Sequence, residues 1–307
     1  MRPHMITAAM AVLVTVAAAC MPGPPSPPSS TVGDTELSSR DLEAFLGNGL
    51  RFTGHGDFGL DRAELVVAPD APGGTLLRVT YPAGSASHSA GGTDGGMQAY
   101  LELPSGPVQA LDLEYQLRFP SDFDFVKGGK LPGLYGGTVT GGRHIPDGAD
   151  GFSTRYMWRA GGEGEVYAYL PTSEVHGTSL GRGCWSFPPG RWTSIRQRVL
   201  LNTPGHADGR VIVWQDGRKV LDSRGLEFRT TGELRIEGLF FSTFFGGSDT
   251  SWASPVDQHA DFAGFAISGV PDSDAPDSDA PDASTVSDAP AATAEVAPPD
   301  CGQASAP

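Results

Sequence analysis

Cationic and phenolic side chains gather between residues 125 and 169 of this 307-residue chain, in the segments FVKGGKLPGLYGG, GGRHIPDGADGFSTRYMWR and GEGEVYAYLP. Ser153 and Arg155 stand two apart, as do Tyr167 and Tyr169. On extended strands residues i and i+2 share a face, so each pair projects from one side of its sheet. The Gly-rich residues 160–164 supply a turn that would make the two strands antiparallel neighbours. The KGGK run adds Lys130, with Lys127 as the alternative. Such a cluster suits proton transfer on an anion. Arginine offers a bidentate fork to a carboxylate and lysine a compact charge. A tyrosine becomes an acid or base where nearby cations lower its pKa. The same residues also have an ordinary structural reading, since Tyr-x-Tyr fits a face of any sheet and Lys130, just before Leu131 and Pro132, fits a loop.

Other chemistries have less support. There is no HExxH, paired Cys-x-x-Cys or phosphate-cradling glycine loop, which leaves zinc hydrolysis and nucleotide chemistry without a motif. A glycoside hydrolase needs two opposed carboxylates, and Glu163 and Glu165 lie side by side on one strand. His144, in a loop with Arg143 and Asp147, is an alternative base or a plain surface histidine, and His176 is similar. Gln98 could reach a ligand from its strand.

The elements that must position these residues read as strands. Short apolar alternations fall at 76–81, 97–103, 110–119, 152–159, 165–170, 193–201, 209–215, 234–244 and 260–267. In the third of these Leu111, Leu113, Tyr115, Leu117 and Phe119 share one face. Asp216-Gly217 between apolar flanks marks a hairpin. One short helix fits residues 41–46, capped by Ser38 or Ser39. Many short strands without βα alternation predict an all-β fold, an antiparallel β-sandwich or jelly roll spanning 37–269. A concave sheet face of such a sandwich suits a linear polymer.

The ends differ from this body. Residues 1–20 begin with a basic Arg2, continue through a short apolar run and close on VAAAC, which resembles a bacterial lipobox with Cys20 as the lipidated residue. Residues 21–36 are a Pro/Ser-rich tether. Residues 270–307 hold eight acidic residues and no Lys or Arg, and read as a disordered acidic tail. Spacing by Pro and Ala gives that tail no convergent calcium ligand set, so structural calcium is not predicted and no cofactor is required. Of the formal charge of −15, −8 falls on residues 20–270. That balance argues against a nucleic-acid partner but not against an anionic one, because a local cationic cleft can outweigh a diffuse negative surface. Cys184 reads as a small buried residue, and Cys301 finds no geometric reason to pair with it.

KGGKLPG followed by a Ser-x-Arg strand and a Tyr-x-Tyr strand resembles polysaccharide lyase family 14, the alginate lyases, and more distantly the glucuronan lyases of family 20. RGCWSFPPGRWTSIRQRVLLNTPG and FFSTFFGGSDTSW match the same pattern, which covers roughly residues 112–267. The resemblance implies a catalytic set of Lys130, Ser153, Arg155, Tyr167 and Tyr169, in which Lys and Arg neutralise a uronate carboxylate and a tyrosine moves the proton in β-elimination. Spacing does not separate the two tyrosines, and Tyr169 is taken first. Asp249 and Trp252 would border the cleft with Lys127, Gln98 and His144, while Phe244 and Phe245 would chiefly pack. Cys184 stands where related sequences often carry a small polar residue. The expectation is an exported, monomeric lipoprotein, anchored to the cell envelope or secreted, that acts on an anionic polysaccharide. The alternatives are a lipid-anchored carbohydrate-binding module without turnover and a structural surface protein.

Overall fold

Leu111, Leu113, Tyr115 and Leu117 form one wall of a core enclosed between two sheets. The computed structural model describes residues 37–87, 90–142, 144–270 and 301. The lipobox with Cys20, the tether and the acidic stretch 271–300 lie outside the described residues.

The first sheet runs, in spatial order, β1 (Arg51–Phe52), β6 (Met97–Glu102), β15 (Gly238–Phe245), β8 (Gly128–Gly137), β9 (Gly151–Arg159), β10 (Gly164–Tyr169) and β11 (Thr178–Leu180). The second runs β14 (Arg218–Leu226), β13 (Gly209–Gln215), β12 (Thr193–Leu200), β7 (Ala110–Arg118), β16 (Gln258–Ser268), β3 (Thr75–Tyr81) and β2 (Ala63–Val67). All pairings within both are antiparallel. β4 (Ser85–Ala86) and β5 (Thr93–Asp94) form a small parallel pair. The expected β-sandwich is therefore the observed one. Helix α1 (Ser39–Leu46) carries a reciprocal cap between Ser38 and Asp41 and buries Leu42 and Leu46. The β13–β14 hairpin turns at Asp216 (φ 49°) and Gly217 (φ 77°), the backbone that a two-residue turn requires.

Strand β8 departs from the sequence expectation, which left room for Lys130 in a loop. Its glycines and Pro132 carry no strand signature, yet it lies between β15 and β9 in the interior of its sheet. The ladder with β9 shifts register between Leu131 and Gly133, so the proline sits at a bulge. Its carbonyl accepts the Tyr115 hydroxyl at 3.1 Å across the core. Gly133 is required here because a Cβ would come within 2.3 Å of the Thr154 carbonyl oxygen. Lys130 is thereby fixed in the sheet, opposite Met157.

A polar clasp joins the sheets beneath β9. Thr154 donates through Oγ1 to Gln197 Oε1 at 2.7 Å, and Gln197 Nε2 donates back to the Thr154 carbonyl at 3.1 Å. Both residues are fully buried, so each satisfies the other and the register of β9 is held. The cysteines correct the sequence reading. Cys184 and Cys301 form a disulfide with their Cα atoms 5.2 Å apart. Cys184 sits in a turn closed by its amide on the Gly181 carbonyl and is only partly buried, which leaves its sulfur within reach. A partner 117 residues away, beyond a stretch without apolar periodicity, has no local sequence signal.

Candidate active site

On β9, Phe152, Thr154, Tyr156 and Trp158 enter the core, so Ser153, Arg155, Met157 and Arg159 occupy the opposite face. The two strands are antiparallel neighbours, as the Gly-rich turn suggests, and their register places Tyr167 opposite Arg155 and Tyr169 opposite Ser153. β6 contributes Gln98 and Tyr100, and β15 contributes Phe240 and Phe244. Together with Lys130, Arg155, Met157, Arg159, Tyr167 and Tyr169, these four residues line a cavity of about 860 Å³.

Arg155 is 4 % exposed, and its Nη1 donates to Ser242 Oγ at 3.1 Å. The guanidinium lies 4.5 Å from the Phe240 ring centroid, and Phe240 stacks on Tyr100 at 4.1 Å. Backbone also approaches it closely, since a Cβ on Gly141 would fall 2.6 Å from Nη2. Lys130 places Nζ 3.7 Å from the Tyr167 ring centroid and 2.7 Å from Met157 Sδ. Among the described residues, neither cation has a carboxylate oxygen within 4.0 Å. Neighbouring Arg159, by contrast, gives two hydrogen bonds to Glu165 Oε1, at 2.9 and 2.6 Å. Enclosing a guanidinium without a counterion is costly unless an anion arrives to pair with it, and an enclosed amine without one is driven toward its neutral form.

The electrostatics separate these groups. Burial, followed by the charges of Arg155 and Arg159, pulls the Lys130 amine well below the ordinary lysine range. Burial, reinforced by Tyr169, pushes the Tyr167 phenol up to about 12. Arg155 is also lowered by burial, but a guanidinium remains cationic.

Ser153 and Tyr169 share this face but are engaged with a loop. Ser153, fully buried and not among the cavity-lining residues, donates to the Thr140 carbonyl at 2.6 Å. Tyr169 donates to the Gly142 carbonyl at 2.7 Å, and the Tyr100 hydroxyl pairs with Thr140 Oγ1 at 2.7 Å. Three hydroxyls from three strands thus pin residues 140–142 over Arg155.

The expected outer residues divide. Gln98 lines the cavity, donates to the Gly56 carbonyl at 2.6 Å and meets Ser242. Trp252 lines it too. Lys127 reaches Ser251 Oγ at 2.6 Å and Asp249 caps residues 250–252, so both belong to the rim. His144 is exposed and does not line the cavity, whereas His176 does. Phe245 packs in the core as expected, but Phe244 faces the cavity. Tyr100, Ser242, Phe240 and Arg159 were not singled out from sequence. Alternation within MQAYLE, FFSTFF and GFSTRYMWR was their available signal, once the core-facing parity of each strand is known. No three His, Cys, Asp or Glu side chains among the described residues converge as a metal site.

Comparison with known proteins places the chain in a family and a fold. Residues 69–265 match the family model described as Polysaccharide lyase 14. The chain is similar to the marine PL-14 alginate lyase from Aplysia kurodai, with 32% identity and a TM-score of 0.66 over 79% of this chain and 98% of that one. It is also similar to a mutant of alginate lyase Aly36B in complex with an alginate tetrasaccharide, with 25% identity and a TM-score of 0.63 over 79% and 96% of the two chains. Alginate lyase vAL-1 from Chlorella virus, 23% identical with a TM-score of 0.57 over 64% and 85%, shares the fold. No curated protein matches the chain.

Proposed function

The chain belongs to the polysaccharide lyase 14 family, and from that premise we propose that it cleaves a polyuronate, alginate or a glucuronan-like chain, by β-elimination over the β6–β15–β8–β9–β10 face. The observation that carries this reading is the enclosed Arg155 guanidinium, with no carboxylate partner among the described residues, beside a Lys130 amine that also lacks one. A uronate carboxylate supplies the missing charge.

In β-elimination a base removes the proton on the ring carbon beside the carboxylate. The electron pair becomes a C=C bond, and the bond to the glycosidic oxygen breaks as that oxygen takes a proton. Charge accumulates on the carboxylate, so a preorganised cation there lowers the barrier. Arg155, fixed by Ser242, Phe240 and the backbone at Gly141, suits that role. Lys130 has an amine held well below the usual lysine range, which suits a base rather than a second neutralising charge. Tyr167, with its phenol held protonated, suits the acid. Ser153 and Tyr169 support the residue 140–142 loop.

A panel of alginate, glucuronan and neutral glucans, read for the ultraviolet absorbance of unsaturated product ends, tests this function. Absorbance from a polyuronate alone is expected, and cleavage of a neutral glucan would sink the substrate class. Arg155→Ala should raise KM and lower kcat, for a combined loss of about a hundredfold or more in kcat/KM.

Residues 37–269 form the catalytic body of an exported lipoprotein in this reading, and the Cys184–Cys301 disulfide is consistent with an oxidising compartment. Cys20→Ser should move the protein from the membrane fraction to the soluble fraction or block its processing. A mature N-terminus that carries no lipid in the wild type, read by mass spectrometry, would remove the anchor.

A further inference from the structure

Behind the cavity-lining Lys130, Met157 and Arg159 lies a buried carboxylate that the proposed mechanism does not use. Glu165 is fully buried on β10, in the same cross-strand row as Met157 and Lys130. Its Oε1 takes both hydrogen bonds from Arg159, while its Oε2 has no partner. A buried carboxylate oxygen left unsatisfied within a cluster of cations calls for a physical reason.

Lys130 supplies it. Its Nζ lies against Met157 Sδ and the Tyr167 ring rather than against Glu165, although one cross-strand row contains all three strands. We propose that Arg159 is a positioning residue for proton abstraction, holding the buried Glu165 carboxylate away from Lys130 so that the amine has no counterion. The proposal rests on the reading of Lys130 as the base. The groups around the amine are consistent with it: Arg155 and Arg159 from β9, Glu165 and Tyr167 from β10, uncharged Phe244 opposite it on β15, and Tyr100, Tyr169 and His176 elsewhere on the cavity wall. Arg155 and Arg159 disfavour the ammonium form and Glu165 favours it, so control of Glu165 is control of Lys130.

Two variants of the full chain should move Lys130 in opposite directions. Glu165→Gln keeps the hydrogen-bond acceptor for Arg159 but removes the negative charge, and should shift Lys130 titration to lower pH. Arg159→Met frees the carboxylate and removes a cation, and should shift it to higher pH. Each shift should be about one pH unit or more. Lys130 titration is read without substrate, from the pH dependence of amine acylation at that residue by mass spectrometry, so a contact between Arg159 and substrate does not enter. The acid limb of the kcat/KM profile on alginate is then compared. Opposite shifts in labelling, followed by the acid limb, support the proposal. Labelling midpoints within a few tenths of a unit of wild type in both variants overturn it. Should the midpoints move while the acid limb stays fixed, the reading of Lys130 as the base fails, and the positioning role fails with it. Arg159→Met leaves a buried charge unpaired; if it does not fold, Glu165→Gln alone decides by the sign of its shift.

Discussion

Lys130→Arg is expected to fold normally, to bind polyuronate, and to lose about a hundred- to ten-thousand-fold in kcat, the usual contribution of a positioned proton-transfer group. The substitution preserves a positive charge at that place in the sheet. A guanidinium does not give up its proton in the working range, so it can replace a neutralising charge but not a base. The sequence resemblance assigned Lys130 to charge neutralisation. Its recess among Arg155, Arg159 and Met157, without a counterion, instead favours the neutral amine. The wild-type rate should therefore rise with pH through a midpoint well below the ordinary lysine value and fall again only as Tyr167 ionises, with a midpoint at about 12. Retention of kcat within a few-fold in Lys130→Arg would return the lysine to the neutraliser role and make His176, which lines the cavity, the next base to test.

Tyr167→Phe is expected to show a loss of similar size, about a hundred- to ten-thousand-fold in kcat with little change in KM. The ring that carries the Lys130 contact remains, while the transferable proton is gone. Tyr169→Phe should lose less and express its loss mainly in KM. Its hydroxyl is donated to the Gly142 carbonyl, so its removal loosens the loop over Arg155 rather than the proton path. Melting temperatures of both variants separate these effects from unfolding. A larger kcat loss in Tyr169→Phe than in Tyr167→Phe would reverse the assignment.

Period-two alternation and turn chemistry carried most of the fold. Most individual strands of the second sheet, the β9–β10 pairing and the Asp216-Gly217 hairpin follow from short-range patterns, whereas the order of the strands does not. β8 did not, because its glycines and Pro132 obey the tertiary requirement for a bulge and for close approach to Thr154 rather than any strand propensity. The site was legible at its centre, where the i, i+2 spacing put Ser153 and Arg155 on one face of a strand and Tyr167 and Tyr169 on one face of its neighbour. Its perimeter was not. Ser242, Phe240 and Tyr100 reach Arg155 only because β15 and β6 neighbour β8, a non-local ordering that no short window encodes. His144 illustrates the converse, a residue with suitable chemistry in a nearby loop that nonetheless stays exposed, outside the cavity. The protonation roles were equally hidden, since they depend on which carboxylate is absent from around Lys130 rather than on which residue types are present.

Digestion of alginate or glucuronan in water enriched with heavy oxygen tests elimination most directly. Elimination consumes no water, so the new reducing ends should carry no label beyond slow exchange measured in a control, and the new non-reducing ends should be lighter by one water than hydrolytic ones. Stoichiometric heavy oxygen at the new reducing ends, with saturated partners, would contradict the account and make the cavity that of a hydrolase.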